Sequence, residues 1–257
     1  MIEEWELACT PQHRIRQRHY EVAVLPLGAT EPHNLHLPEG IDFLNANEIA
    51  RRCCRAAWDK CQSVVCLPAI PYGVDCNLLG FPLTIHVSQM SLDAMVRDII
   101  LSLRRHGIRK VVIFNGHGGN EFMALIRQMQ ADTDIHLFLC NWWQVGSDRY
   151  DEIFQQADDH GGEMETSVAM ALWPELVQKE QAASGQAKPF ALKALQEGWV
   201  RTSRDFSRLN DYCGVGNPQA ASAEKGRKYL EVVCARISEF LIELAETPID
   251  NDFPHRS

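Results

Sequence analysis

Residues 22–42 read VAVLPLGATEPHNLHLPEGID. The run Val22–Leu27 is apolar throughout and of strand length, which fits a strand buried on both faces better than one with a wet side. Directly behind it come Glu31, His33, His36, Glu39 and Asp42, five metal-ligating side chains within twelve positions. In parallel sheets covered by helices, ligands bind in the crevice at the carboxyl ends of the strands. The stretch therefore predicts both a fold and the place in it where chemistry happens.

Outward from this stretch, strand-like and helix-like segments alternate. Phe43–Lys60 reads as a helix with Ile49, Ala50 and Cys53 on one face, and Val64–Ile70 as a short strand closed by Pro71. Ser88 or Ser91 can cap a helix running to Arg105, and Gly107 stands where a C-terminal glycine belongs. Lys110–Phe114 reads as a strand, Glu121–Gln130 as a helix and Ile135–Cys140 as a strand. Glu224–Ala245 is an amphipathic helix stopped by Thr247-Pro248. The pattern predicts an α/β fold: a single domain over residues 1–257, with a mostly parallel β-sheet flanked by helices on both faces. Residues 174–218, interrupted by Gly185, Gly198, Gly214 and Gly216, read as a loop-rich excursion with room for a hairpin. Residues 248–257 read as a flexible tail.

A chain of 257 residues suffices for one large domain with a real core. Its formal net charge of −9 argues against nucleic acid or an anionic membrane as partner, since both would repel it. The short basic cluster His13–His19 reads as a solvated face. Nine cysteines, odd in number and without a C-x-x-C pair, suggest neither a zinc ribbon nor a disulfide framework. Free thiols in a reducing cytoplasm fit them. The chain opens on no basic-then-apolar leader, and no apolar run reaches the ~18–20 residues of a membrane span. The expected compartment is cytoplasmic.

Three polar islands interrupt the apolar pattern. The first is Glu31-Pro32-His33 with His36 and Asp42; the second is His117 within Asn115-Gly116-His117-Gly118-Gly119-Asn120. The third, His160-Gly161-Gly162-Glu163-Met164-Glu165-Thr166-Ser167, opens a helix-like run. Imidazole mixed with carboxylate suits zinc, manganese or iron better than calcium or magnesium. Two ions sharing a bridging carboxylate need about five protein ligands, and can hold a hydroxide at neutral pH while polarising a carbonyl. The glycine-rich loop matches neither phosphate-binding pattern, and a phosphate reading would leave His117 unexplained. His86, His106 and His136 have no carboxylate companion and read as structural. Glu163 or Glu165 taken alone could be a first-turn carboxylate favoured by the helix dipole. Trp142-Trp143 reads as a packed aromatic pair, with a substrate wall at Trp143 as the alternative.

At these residues the sequence resembles the creatininase family. The family's marks are a Glu-x-His-x-x-x-Leu-Pro-x-x-x-Asp segment, an Asn-Gly-His-Gly-Gly-Asn loop and a His-Ala/Gly-Gly-Glu-x-Glu-Thr-Ser segment. They stand here as Glu31–Asp42, Asn115–Asn120 and His160–Ser167. The resemblance implies a creatininase-like α/β/α fold, commonly hexameric, so a homo-oligomer is expected. It also implies two divalent metal ions, zinc first, with manganese or iron as alternatives. By the same resemblance Glu31 and His117 hold one ion, His33 the other, and Asp42 bridges them. Creatininase proper takes its fifth ligand, a glutamate, from the loop position occupied here by Gly119. Glu163 stands where creatininase has an apolar residue, so the expected fifth ligand is Glu163, with a single-ion site as the alternative. His160 matches the family's active-site histidine and is expected to orient substrate and protonate the leaving nitrogen, with Glu163 beside it as the other catalytic residue. Glu165 is expected to orient a ligand from behind. His36, Asn115 and Asn120 are expected to hydrogen-bond near the metals or the substrate.

The family often has Gln, Gly and Pro where this chain has Pro32, Asn34 and Leu35, and the loop Gly73–Leu78 lacks the serine and Glu-His pair common there. Those positions face substrate in the family, so creatinine itself is not the expected substrate. The resemblance predicts a metal-dependent amidohydrolase that opens a small cyclic amide or removes a formyl-type group through a metal-bridging hydroxide. A family hydrolase of a cyclic keto-sugar or a peptide end is one alternative. A catalytically silent metal- or ligand-binding protein is another.

Overall fold

The computed structural model describes residues 3–157 and 159–255. Its elements run α1 (Gln12–Ile15), β1 (Val22–Leu27), α2 (Ile41–Cys61), β2 (Val64–Cys66), α3 (Gln89–Arg105) and β3 (Lys110–Asn115). They continue with α4 (Met123–Asp132), β4 (His136–Asn141), α5 (Tyr150–Ile153), α6 (Glu163–Leu172), α7 (Lys193–Gln196) and α8 (Ala223–Glu246). The strands form one parallel sheet in the order β2-β1-β3-β4, with Val22 beside Val64 and Lys110, and Leu27 beside Asn115. Both central strands, β1 and β3, are buried along their whole length. Alternate side chains explain this: Val22, Val24, Val112 and Phe114 pack with α2, α6 and α8. Leu25, Leu27, Val111 and Ile113 pack with α3 and α4 on the other face.

Two residues that look misplaced in buried strands have physical reasons. Pro26 has no N–H to donate, but β2 has already ended at Cys66 on that side, and the Pro26 carbonyl accepts from Ile70 N at 3.0 Å. Lys110 is buried with its Nζ donating to the carbonyls of Leu244 (2.8 Å) and Thr247 (2.6 Å), which lie at the carboxyl end of α8.

Chain direction creates the crevice. The connection from β1 to β2 through α2 runs one way across the sheet, and that from β2 to β3 through α3 runs back past β1. Right-handed crossovers therefore put α2 and α3 on opposite faces and leave the carboxyl ends of β1 and β3 open between them. The first residues beyond these strands are Gly28 and Gly116. A Cβ on Gly28 would stand 2.3 Å from Phe43 N, and one on Gly116 2.7 Å from Asp42 O. Glycine at both places lets the first turn of α2 rest directly on the two strand ends.

The expected elements lie within a few residues of the observed ones, with informative exceptions. The ladder expected over Val64–Ile70 breaks after Cys66, where Pro68 has no N–H to donate, and resumes as an isolated bridge between Leu27 and Ile70. The glutamine side chain of Gln89 accepts from Glu121 N, and α4 starts only at Met123. Residues 174–218 hold short 3-10 turns and α7. In place of a hairpin there is an isolated antiparallel bridge between His160 and Val215. In the segment read as a flexible tail, Phe253 packs edge-on against His136 with ring centroids 4.7 Å apart; residues 256 and 257 lie outside the described residues. All nine cysteines are free thiols. Among the described residues no helix is long and apolar enough to cross a membrane.

Gly28→Ala should push α2 off the strand ends. The expected cost is about 1–3 kcal/mol, as for other overpacked sites. A urea midpoint equal to that of the unsubstituted chain would refute this account of the close approach.

Candidate metal centre

The loop after β1 delivers Glu31 and His33, the first turn of α2 delivers Asp42, the loop after β3 delivers His117, and the start of α6 delivers Glu165. Asp42 is the hub. Its Oδ2 lies 2.9 Å from His117 Nδ1, and its Oδ1 lies 3.0 Å from His33 Nε2. Glu31 Oε1 adds to the first group, 3.0 Å from His117 Nδ1, and Glu165 Oε1 to the second, 3.9 Å from His33 Nε2. Glu31–Asp42–His117 and His33–Asp42–Glu165 are thus two clusters of metal-ligating type that share one carboxylate. His160 Nδ1 stands 3.9 Å from Glu31 Oε1. The cluster faces a cavity of about 290 Å³, with Trp143, Met164, Leu78 and Phe206 among its apolar walls.

All three imidazoles are aimed in the same manner. The outer nitrogen of each meets a backbone carbonyl, which can only accept: His33 Nδ1 at Glu31 O (3.1 Å), His117 Nε2 at Val74 O (3.2 Å) and His160 Nε2 at Pro32 O (2.7 Å). The proton is therefore held outside, and in the neutral ring the inner nitrogen turns its lone pair to the cluster. Buried Asp75 reinforces the arrangement, with Oδ1 3.0 Å from His117 Nε2. The Asp75 N–H is itself anchored on His86 Nδ1, so His86 holds the loop that carries this carboxylate.

Electrostatics match a cation site. Burial opposes charge on His33, but the Asp42 and Glu165 carboxylates outweigh it and push its pKa up to about 10. Burial opposes charge on His117 too, yet Glu31, Asp42 and Asp75 hold it well above the usual imidazole range. Burial raises Glu31 to about 8 against the pull of His117. Burial would also raise Asp42, but the two imidazoles hold it below the usual carboxylate range. Protons thus occupy, in the metal-free chain, the positions a cation would take. His160 differs: burial and then the charge on His33 push it well below the usual range, so its ring is neutral. His36 is also neutral, lowered by burial to about 4, and its Nε2 meets Thr166 Oγ1 at 2.8 Å, beside Glu165.

The structure corrects the expectation for Glu163. Its Oε1 pairs with Lys225 Nζ on α8, and its Oε2 accepts from Gln155 N at 2.9 Å, so both oxygens are committed away from the cluster. Helix geometry supplies the reason: residues two apart point to opposite sides, so a Glu163 facing α8 turns Glu165 to the cavity. Glu165, expected only behind a ligand, instead stands within the cluster while its Oε2 accepts from Gly161 N at 2.6 Å. Gly119 could not serve, because a Cβ there would sit 2.3 Å from His117 Nε2. Asn115 and Asn120 hold the loop: Asn115 Nδ2 donates to His117 O (2.8 Å), Asn115 Oδ1 accepts from His117 N (3.2 Å), and Asn120 Oδ1 accepts from Val74 N (3.1 Å). Trp143 packs edge-on to Trp142 and also lines the cavity. Sequence reasoning missed Asp75, Asp159 and Arg204, which lie in loops without a histidine-carboxylate pattern of the expected kind; only the position of Asp159 next to His160 hints at one of them.

The family profile of creatinine amidohydrolases matches residues 8–241. The chain belongs to the creatininase family of hydrolases. Creatinine amidohydrolase of Pseudomonas putida is 27% identical over 242 residues, covering 86% of this chain and 89% of that protein. The mycofactocin precursor peptide peptidase of Mycobacterium ulcerans (strain Agy99) is 30% identical over 213 residues, 80% of this chain and 78% of that protein. A solved structure from Bacteroides fragilis, described as a candidate creatinine amidohydrolase, superposes with a TM-score of 0.90 at 35% identity, covering 98% of this chain and 100% of that one. Solved creatininases include a zinc–zinc form and a manganese form, each with a TM-score of 0.76 at 24% identity over 95% of this chain and 100% of theirs.

Three outcomes check this creatininase-family site. Glu165→Gln should lower metal stoichiometry, whereas Glu163→Gln should leave it intact and cost about 1–3 kcal/mol of stability by removing the charge partner of Lys225, which keeps only the Ala220 carbonyl among the described residues. Asp75→Asn should weaken metal binding about 10–100-fold in calorimetry, with stoichiometry kept. Because cations must displace protons from His33 and His117, metal affinity should climb with pH, by about tenfold per unit for each proton displaced. Affinity that is flat between pH 6 and 8 would refute the proton-displacement account.

Proposed function

We propose that the chain is a metal-dependent amidohydrolase that breaks a C–N bond in a small cyclic amide or a formamide-type substrate. The observation that carries this reading is the pair of clusters sharing Asp42 at the floor of a cavity of about 290 Å³. Glu31, His33, Asp42, His117 and Glu165 would hold two divalent ions, zinc or manganese by likeness to the solved creatininases. The donor set fits them: nitrogen and oxygen only, buried except for the half-buried Glu165, with Glu31 Oε2 lacking a hydrogen-bond partner among the described residues. Such ions supply positive charge that acidifies water and polarises a carbonyl.

The chain's own residues divide the remaining work. Hydrolysis transfers a proton from water to the leaving nitrogen, and a group facing the cavity must carry it. His160 is placed for this, with Nε2–H tied to Pro32 O and Nδ1 turned inward. Being neutral, it accepts the proton first and returns it to the leaving nitrogen afterwards, so its role begins as a base. Trp143, Leu78, Met164 and Phe206 enclose the substrate in apolar surface and restrict water. A cavity of this size suits a small ring or a short acyl group.

The test combines metal content with turnover. The purified chain should bind about two transition-metal equivalents, lose activity to a chelator and regain it with zinc or manganese. A panel of lactams, formamides, cyclic ketones and short peptides should give turnover on the first two classes. Less than about half an equivalent of bound metal, or turnover confined to peptides or ketones, would sink the proposal. His160→Ala should lower kcat about 10²–10⁴-fold, the usual range for a lost acid–base group, with metal stoichiometry unchanged.

A further inference from the structure

Among the described residues lining the cavity, Arg204 is the single lysine or arginine. Its guanidinium lies 4.9 Å from the centroid of the Phe206 ring, which packs edge-on 5.1 Å from the His160 imidazole. The His160 ring is in turn 4.1 Å from that of His33. Phe206 is a fixed platform: it is buried, and its N–H donates to Asn77 O at 3.0 Å. Two ring contacts thus separate a planar, permanently charged donor from the imidazole that faces the metal cluster.

Arg204 is held at Asp159 through Nη1 and Nη2, the latter 3.2 Å from Asp159 Oδ1, which leaves its Nε–H edge without a partner among the described residues. The two side chains are 32% and 42% exposed. The pair is bidentate but partly screened by water, and its open Nε–H edge can take a second carboxylate without displacing Asp159. Stacking on Phe206 keeps the guanidinium plane oriented, and this fork favours planar carboxylates over other groups.

We propose that Arg204 binds a carboxylate carried by the substrate. The substrate class is then an amide bearing a carboxylate two or more bonds from the amide nitrogen, such as an N-formyl amino acid or a lactam acid, and not a neutral lactam. This rests on the amidohydrolase reading and narrows it. Water adds across the amide: a C–O bond forms at the acyl carbon, the C–N bond breaks, the nitrogen gains a proton, and the bound carboxylate is unchanged.

The competing role for Arg204 is structural, a tie between its loop and the residue before His160. Under that role, Arg204→Met and Asp159→Asn break the same tie and should act alike. Under carboxylate recognition they act in opposite directions. The measurement is calorimetric affinity of the metal-loaded full chain for two matched pairs: N-formyl-4-aminobutyrate against its amide, and 5-oxoproline against 5-oxoprolinamide. The unsubstituted chain should prefer the acid of at least one pair by about tenfold or more, the scale of one charge-assisted hydrogen bond. Arg204→Met should erase that preference, Arg204→Lys should keep part of it, and Asp159→Asn should enlarge it. No preference in the unsubstituted chain, no binding of either pair, or parallel losses in Arg204→Met and Asp159→Asn would overturn the assignment. Because the readout is binding, an Arg204-dependent preference without turnover counts against the hydrolase reading alone. Turnover without a preference counts against the carboxylate alone.

Discussion

The first turn of α2 rests on the ends of the two central strands, and the rest of the site follows from that contact. Gly28 and Gly116 permit it, since a side chain at either would meet the backbone of Asp42 or Phe43. Asp42 thereby enters the crevice with both oxygens available, one to each imidazole. A carboxylate there also lies in the favourable field of a helix N-terminus. The two imidazoles, acting against burial, keep it ionised.

Around that hub the backbone does much of the orienting. Three carbonyls hold the outer protons of His33, His117 and His160, so whenever the inner nitrogen of one of these rings is unprotonated its lone pair faces the cluster. The arrangement needs loops that place carbonyls as accurately as side chains. Asn115, Asn120 and Asp75 provide that support for His117, while the bridge between His160 and Val215 anchors the residue opposite. The same economy explains why residue 119 is glycine: the space its side chain would need is taken by the His117 ring and the Val74 carbonyl. The carboxylate of the second cluster must then come from elsewhere, and α6 presents one.

The choice between Glu163 and Glu165 illustrates what a linear motif leaves open. Both lie in the first turn of the same helix, and spacing alone assigns them to opposite faces without saying which face is which. The partner that decides is Lys225, sixty-two positions away on α8, which takes Glu163. Arg204 and Asp159 were illegible for a similar reason. Their loops carry no periodicity, and their place at the cavity depends on Phe206 docking against Asn77.

The sequence by itself determined the alternation of strands and helices, the parallel sheet, and the three polar islands with Glu31, His33, Asp42, His117 and His160, because burial periodicity and ligand chemistry are written locally. Only the tertiary structure decided how Asp42 lies between two imidazoles, which glutamate of α6 faces the cavity, and which charged residues stand beside it. Those outcomes depend on helix rotation, backbone carbonyl placement and ion pairs between segments far apart in the chain, and no local pattern encodes them.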